Sequence, residues 1–557
     1  MKSGNGSDLF LETLIDEGVY CMFGNPGTTE LPLMDALVNE SRLDYILCLQ
    51  ESVTIGAAEG YAYATGGVGV VNLHVAPGLG NAMGMLYNIK RAGTPLIVTA
   101  GNQGQRGQLS EPVLWDDLPR MAEPLTKWSY EVRRVEDLEQ SVRRAIKYAL
   151  TPPTGPVFLS LPGDVMLAET GGLTGRPTRL SSAFPAPAES IERAAQMLAE
   201  AENPYIVTGS RVTRSGAVDE VARLAERIGA KVFSDNRPNS LSVSLTHPLY
   251  AGELLNTIEP LLDQIEDADV VFFIGTETYT FSFPPEGPLA PRGARIIHLD
   301  LDPWEIGKNF PVDVAMLGDP KTTLVELTGA VEKKLGEAGI HSAGERRAWL
   351  EKELAASRRE IAPKAGDDSG TLTKETFQAA FGEALPQGTA LVDESLTMGH
   401  GGGLKSAIAG KVDSLFGMKG GGIGLGLPSA LGVKKALPDT PVVCLSGDGS
   451  AMYAIQALWS AAKYDLDAVF VILNNKSYRI LKERVLRLDG KTQEHRQFVA
   501  MDFKEPELDF IQMAQSMGVD AIRAKTPAEL KEAMGKGLAS GKPYLIDAHI
   551  EYERLEN

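Results

Sequence analysis

Two hydrophobic patterns alternate along the chain. Short, unbroken apolar runs rich in β-branched residues stand at 94–99, 157–161, 205–208, 270–274, 295–299, 441–445, 468–473 and 544–546. Because apolar residues fill these runs without alternating, each predicts a strand covered on both faces, as in a parallel sheet between helices. Between them lie stretches such as 190–199, where apolar positions return every three or four residues behind Ser190, a residue able to cap a helix. These stretches predict the crossover helices of an α/β fold. Residues 170–189 are rich in Gly, Pro, Ser and Thr, and 363–370 form a polar, turn-rich tail after a charged helical segment at 345–359. With these as linkers, three α/β domains are expected, at 1–170, 186–335 and 371–550, each a doubly wound parallel sheet. A length of 557 residues suits three domains of ordinary size. No short-period repeat is present, which excludes a solenoid.

Composition narrows the function classes. With 43% hydrophobic and 23% charged residues the chain has the make-up of a folded protein. A formal net charge of −19 argues against a nucleic-acid partner, whose phosphates call for basic patches. Cys21, Cys48 and Cys444 stand singly in apolar surroundings without metal or redox spacing, so buried free thiols are expected. No apolar run is long enough to cross a bilayer and the first residues lack a signal-peptide pattern, so a cytoplasmic setting without a membrane partner is expected.

The most specific chemistry lies at Ser446-Gly447-Asp448-Gly449-Ser450, followed by Leu473-Asn474-Asn475-Lys476-Ser477. Asp448 leaves the carboxyl end of a predicted strand, the edge where open α/β sheets bind ligands, and Gly447 and Gly449 permit close backbone approach. Asn475 ends the next strand. The Asp448 carboxylate, the Asn475 side-chain oxygen and a carbonyl near Ser477 suit a hard cation, and that cation suits a diphosphate. Either segment alone is also an ordinary turn; both at strand ends point to a site.

With these motifs the chain resembles the thiamine-diphosphate-dependent superfamily, in which a Gly-Asp-Gly…Asn-Asn pair anchors magnesium and the cofactor's diphosphate. The resemblance implies Asp448, Asn475 and the Ser477 backbone as Mg2+ ligands, with Gly447, Gly449, Ser450 and Tyr478 around the cofactor. Thr397 and His400 lie in the segment 393–401 that the resemblance places near the diphosphate and pyrimidine; His400 is a candidate proton carrier. The glycine-dense run 420–428 precedes a helix expected to begin near Pro428. Its Ile423 matches the bulky aliphatic residue that props the cofactor into a bent shape in the family.

Near the start, Phe23-Gly-Asn-Pro-Gly-Thr-Thr-Glu30 reads as a turn opening a helix, with Thr28 placed to present its hydroxyl. Leu49-Gln50-Glu51 precedes a helical run, and Asn72-Leu73-His74 precedes a glycine-rich turn. Singly, Glu51 is an acid at a helix N-terminus and His74 a polar strand end. Their order is similar to that in the 2-oxo acid decarboxylases, the benzoylformate decarboxylases above all. That likeness implies Glu51 as the acid on the pyrimidine nitrogen, Thr28 and His74 facing the substrate, and Ile480 and Leu481 walling the pocket. Arg484 belongs either to a solvated charged face with Arg479, Lys482 and Arg487 or to the pocket, facing a second substrate carboxylate.

The implied activity is non-oxidative decarboxylation of a 2-oxo acid to an aldehyde and carbon dioxide, with an acetolactate synthase-like carboligase as the alternative. Retention of Glu51, Asp448 and Asn475 argues against a regulatory relative without chemistry. The implied architecture is three domains, pyrimidine-binding, middle and diphosphate-binding, in a homodimer or homotetramer with active sites at the subunit interface. One departure stands out. The relatives' middle-domain histidine has no counterpart in 275–283, where Phe281, Ser282 or Phe283 takes its place. Gly209 and Gly275 complete no dinucleotide fingerprint, so no nucleotide is expected in the middle domain.

Overall fold

The computed structural model describes residues 4–281, 289–364, 366, 368–399 and 402–552. Its residues group into two compact units, one of 1–180, 364–398 and 418–557, the other of 181–363 and 399–417. Among the described residues no helix is long and apolar enough to cross a membrane.

The first unit holds two parallel sheets. In one, the strands lie in the order Asp44–Leu47, Cys21–Gly24, Gly69–Leu73, Leu96–Asn102, Val157–Pro162 and Ser129–Glu131, every neighbouring pair parallel. The inner strands are buried along their whole length, which is why their sequences do not alternate. The chain reverses its direction of travel across the sheet between Cys21–Gly24 and Gly69–Leu73. Ligands of open α/β sheets settle in the crevice at such a switch point, and here it receives Asn25 from one strand end and His74 from the other. In the other sheet, Thr389–Glu394, Val442–Gly447, Val469–Asn474, Tyr544–His549 and Asp520–Ala524 lie side by side and parallel.

Helix Glu51–Thr65 of the first sheet packs directly on helix Gly426–Ala436 of the second. The crossing is so close that a Cβ on Gly432 would lie 1.9 Å from the Ala57 carbonyl oxygen. Ser429 Oγ donates to the buried Glu59 Oε2 across the same seam, at 3.1 Å. The helix that begins with Glu51 is thereby fixed against the helix that follows the Ile423 loop.

In the second unit the strands run Tyr250–Glu253, Lys231–Ser234, Pro204–Thr208, Val270–Ile274, Arg295–Asp300 and Val314–Leu317, again all parallel. The expectation of α/β domains with parallel sheets therefore stands. Local details differ. Helix Ala188–Glu200 starts before Ser190 and has Pro187 at its N-cap, so Ser190 caps nothing. Glu169 and Thr170, at the junction with the expected linker, pair antiparallel with Asn5 and Gly4. All three cysteines are buried and free.

Arg211 reaches over the sheet's carboxyl edge to the fully buried Asp300, Nε and Nη2 donating to Oδ2 at 3.0 and 2.9 Å. His298 lies fully buried beside this pair, and burial with the neighbouring Arg211 charge presses its imidazole down from 6.5 to about 4. An unfolded chain therefore binds a proton in this window that the folded chain refuses, so stability falls as pH drops from 6.5 towards 4. The full loss amounts to about 3 kcal/mol at 1.4 kcal/mol per pKa unit. Urea unfolding of the wild type and of His298→Leu across this window should show a flatter pH slope in the variant; parallel slopes would contradict the assignment.

Candidate active site

Strand Cys21–Gly24 runs into Asn25-Pro26-Gly27 and the single turn Thr28–Glu30. Gln50 caps helix Glu51–Thr65, its side chain accepting from the Ser52 and Val53 amides at 2.6 and 3.2 Å. With the cap provided by Gln50, Glu51 is free to turn inward. It is only 7% exposed, and its two oxygens each accept a side-chain amide, from Asn25 and from Asn81, both at 3.1 Å. Such a carboxylate, held by neutral donors, can exchange a proton with a ring nitrogen.

His74 shares that crevice: a Cβ placed on Gly78 would lie 3.5 Å from Glu51 Oε1 and 3.6 Å from His74 Cβ. Val75, immediately after His74, has φ 42°, a left-handed conformation that β-branched residues rarely adopt. Strain of this kind, about 1–3 kcal/mol, gathers at functional sites. His74 Nδ1 lies 2.8 Å from Glu30 Oε2 and 3.2 Å from Thr29 Oγ1. Thr28, the expected hydroxyl, is exposed; Thr29 is the threonine at the ring. Nothing in the sequence around Glu30 marks it for this role.

At the other sheet, strand Val442–Gly447 delivers Asp448 to the first position of a short helix, and strand Val469–Asn474 delivers Asn475. Asp448 is 3% exposed; Oδ1 accepts the Gly449 amide at 2.7 Å and Oδ2 the Asn475 amide at 3.0 Å. Burial pushes its carboxyl up to about 6 in spite of these backbone donors. Asn475 Oδ1 accepts Ser477 Oγ at 2.8 Å, whereas Asn474 turns into the sheet, donating to Asp547 at 2.9 Å. Of the two asparagines, only Asn475 joins the Asp448 loop. A buried carboxylate met by neutral donors, next to an amide oxygen, is an all-oxygen set that fits a hard divalent cation.

The ends of Thr389–Glu394 add to this site. Ser395 Oγ is buried and has no hydrogen-bond partner among the described residues, so it is available to a ligand's oxygen. Thr397 is half-buried two residues on. Glu394, fully buried, accepts the amides of Gly424, Leu425 and Gly426 at 2.6, 3.1 and 2.9 Å and Ser446 Oγ at 3.2 Å. From the opposite side Asn88 exchanges two hydrogen bonds with Gly422, at 2.9 and 2.6 Å. The half-buried Ile423 is thus gripped from both directions, and the helix after it begins at Gly426, two residues before the expected Pro428.

The charged helix Arg479–Val485 is not the solvated face that its composition suggests. Lys482 is buried, paired with Asp502 at 2.8 Å and set over the Phe498 ring. Arg479 pairs with Glu483 at 2.8 Å and lies over Tyr552. Arg484 is half-buried and has no charged partner among the described residues, Ile480 is half-buried and Leu481 is 43% exposed. Tyr478 stands edge-on to Phe503, ring centres 4.6 Å apart. Ser282, Phe283 and His400 lie outside the described residues.

Comparison with known proteins agrees with this geometry. Residues 4–118 match the thiamine pyrophosphate enzyme N-terminal TPP binding domain, 191–327 the central domain and 414–548 the C-terminal TPP binding domain. Benzoylformate decarboxylase of Pseudomonas aeruginosa is 31% identical over 96% of this chain and 97% of its own. The acetolactate synthase isozyme 3 large subunit of Escherichia coli is 26% identical over 97% and 93%. The solved 4-hydroxybenzoylformate decarboxylase of Rhodococcus jostii RHA1, thiamine diphosphate-dependent, superposes with a TM-score of 0.86 at 28% identity, covering 99% of this chain and 100% of that one. Matched by all three of these domain models and by a relative 31% identical over nearly the whole of both chains, the chain belongs to the thiamine pyrophosphate enzymes.

Proposed function

We propose that the protein decarboxylates a 2-oxo acid without oxidation, releasing an aldehyde and carbon dioxide. The observation that carries this reading is the shared crevice of Glu51 and His74: a buried acid for the cofactor and an imidazole for the substrate. Bound thiamine diphosphate supplies an electron sink for cleavage beside the substrate's carbonyl. Asp448, Asn475 and the Ser477 carbonyl would hold Mg2+, with Gly447, Gly449, Ser450, Tyr478 and Thr397 around the diphosphate and Ile423 beneath the rings. Glu51 holds and returns a proton at the pyrimidine nitrogen. His74 moves a proton at the substrate. Thr28, Ile480 and Leu481 border the pocket.

The assembly that goes with this reading is a homodimer or larger homo-oligomer, in which a second copy completes each site. The relatives include both decarboxylases and acetolactate synthases. His74 favours protonation over ligation, since an imidazole there can deliver a proton to the product-forming carbon. A panel of 2-oxo acids, with aldehyde, acyloin and carbon dioxide measured together, tests the choice. Aldehyde equal to carbon dioxide is expected; acyloin as the main product would make the enzyme a carboligase.

Within that panel, the uncompensated Arg484 favours acids bearing a second carboxylate. Arg484→Ala should lower kcat/KM for such acids, relative to monocarboxylic ones, by roughly tenfold or more, the worth of a charge-assisted hydrogen bond. An unchanged ratio would remove Arg484 from the pocket.

A further inference from the structure

We infer that Glu30 is a positioning residue that fixes the tautomer of His74, holding the proton on Nδ1 and leaving Nε2 as the nitrogen that serves the substrate. The inference deepens the function proposed above and rests on it only for the role of His74. Four hydrogen-bond partners converge on the Glu30 carboxylate, whose side chain is 1% exposed. Oε2 receives the Gly27 amide and faces His74 Nδ1, each at 2.8 Å. Oε1 receives Thr29 Oγ1 and the Gly101 amide, each at 2.8 Å.

The directions of these bonds follow from elementary hydrogen-bond chemistry. Backbone amides only donate and an ionised carboxylate only accepts, so with Glu30 as the carboxylate the Gly27, Gly101 and Thr29 bonds all run towards it. The Thr29 hydroxyl has one proton, and Glu30 Oε1 takes it. Nothing is left to donate to His74 Nδ1, which therefore carries the proton itself. No described residue hydrogen-bonds Nε2, and the ring is 23% exposed, so that nitrogen faces open space. The ring also lies against the backbone: a Cβ on Gly27 would fall 2.2 Å from Nδ1. A buried acid that orients a histidine through one nitrogen so that the other can work is a recurring catalytic device. Nothing in the spacing of Glu30 and His74, 44 residues apart, indicates the pairing.

The test uses the whole enzyme loaded with thiamine diphosphate and Mg2+, with histidine labelled by 15N. The chain has seven histidines, and His74→Ala assigns the His74 signals. For the neutral imidazole, wild type should show Nδ1 protonated and Nε2 bare. Glu30→Gln should populate the other tautomer and lower kcat at least about tenfold with little change in KM, while deuterium exchange at the cofactor's thiazolium carbon stays as in wild type. Glu30→Asp, which keeps an acceptor charge, should recover part of kcat. A wild-type ring protonated on Nε2 would overturn the inference, whether or not Glu30→Gln folds. So would a Glu30→Gln enzyme with unchanged kcat, or one that loses thiazolium exchange together with turnover, as a structural residue would. Because the tautomer is read without turnover, a wild type inactive on every 2-oxo acid would sink the proposed function and leave this inference to be decided by the spectrum.

Discussion

Glu51→Gln should slow thiazolium deuterium exchange and every reaction downstream of it by at least about a hundredfold, the usual worth of a positioned acid–base group. The substitution keeps the side chain's length, and Asn25 and Asn81 can turn their amides to suit it, so the crevice should survive. What disappears is the group able to accept and return a proton at the ring nitrogen. His74→Ala should behave differently. Exchange should match wild type, while turnover falls on the order of a hundredfold or more, because only the proton transfer at the substrate loses its carrier. Normal exchange in Glu51→Gln, or loss of it in His74→Ala, would show that the two roles are assigned wrongly.

Asp448→Asn should cost the enzyme its cofactor. The neutral amide keeps an oxygen for one of the loop amides that Asp448 now accepts, from Gly449 and Asn475, so the loop has a partial substitute. The negative charge is gone, however, and a hard cation prefers ionised oxygen. Affinity for thiamine diphosphate in the presence of Mg2+ should fall by roughly a hundredfold or more, more steeply in Asp448→Ala, where both acceptors vanish. Removing the metal from wild type with a chelator should reproduce the loss. Calorimetry that finds unchanged cofactor affinity in Asp448→Ala would place the cation elsewhere.

Those residues were legible because their environment is written next to them. Gly447 and Gly449 flank Asp448, a strand-like run precedes each motif, and together they announce a loop at a sheet's carboxyl edge. Many buried central strands were legible for a related reason: covered on both faces, Val270–Ile274 is apolar throughout, whereas the inner strands Cys21–Gly24 and Lys231–Ser234, only four residues long, were not. Edge strands were not. Asp44–Leu47 and Ser129–Glu131 are largely half-exposed, and their short mixed sequences resemble loops. Ser190 carried the right chemistry for a cap, but the helix begins two residues before it.

The residues that support the site stayed hidden because their partners come from far along the chain. Glu30 reads as a surface acid in a first helical turn until the fold brings it His74 and the Gly101 amide. Glu394 gains its purpose from the amides of 424–426, which stand some thirty residues further along the chain. Lys482 looked solvated in a charged helix until Asp502 folded over it. In each case the sequence states the charge, and only the tertiary fold supplies the group that satisfies it.

The most direct test is the dependence of carbon dioxide release on both components of the cofactor site. Protein stripped of metal and thiamine diphosphate, given the best 2-oxo acid of the panel, should release none; restoring thiamine diphosphate and Mg2+ together should restore release with an equal amount of aldehyde. Full turnover by the stripped protein would contradict the assignment at its centre.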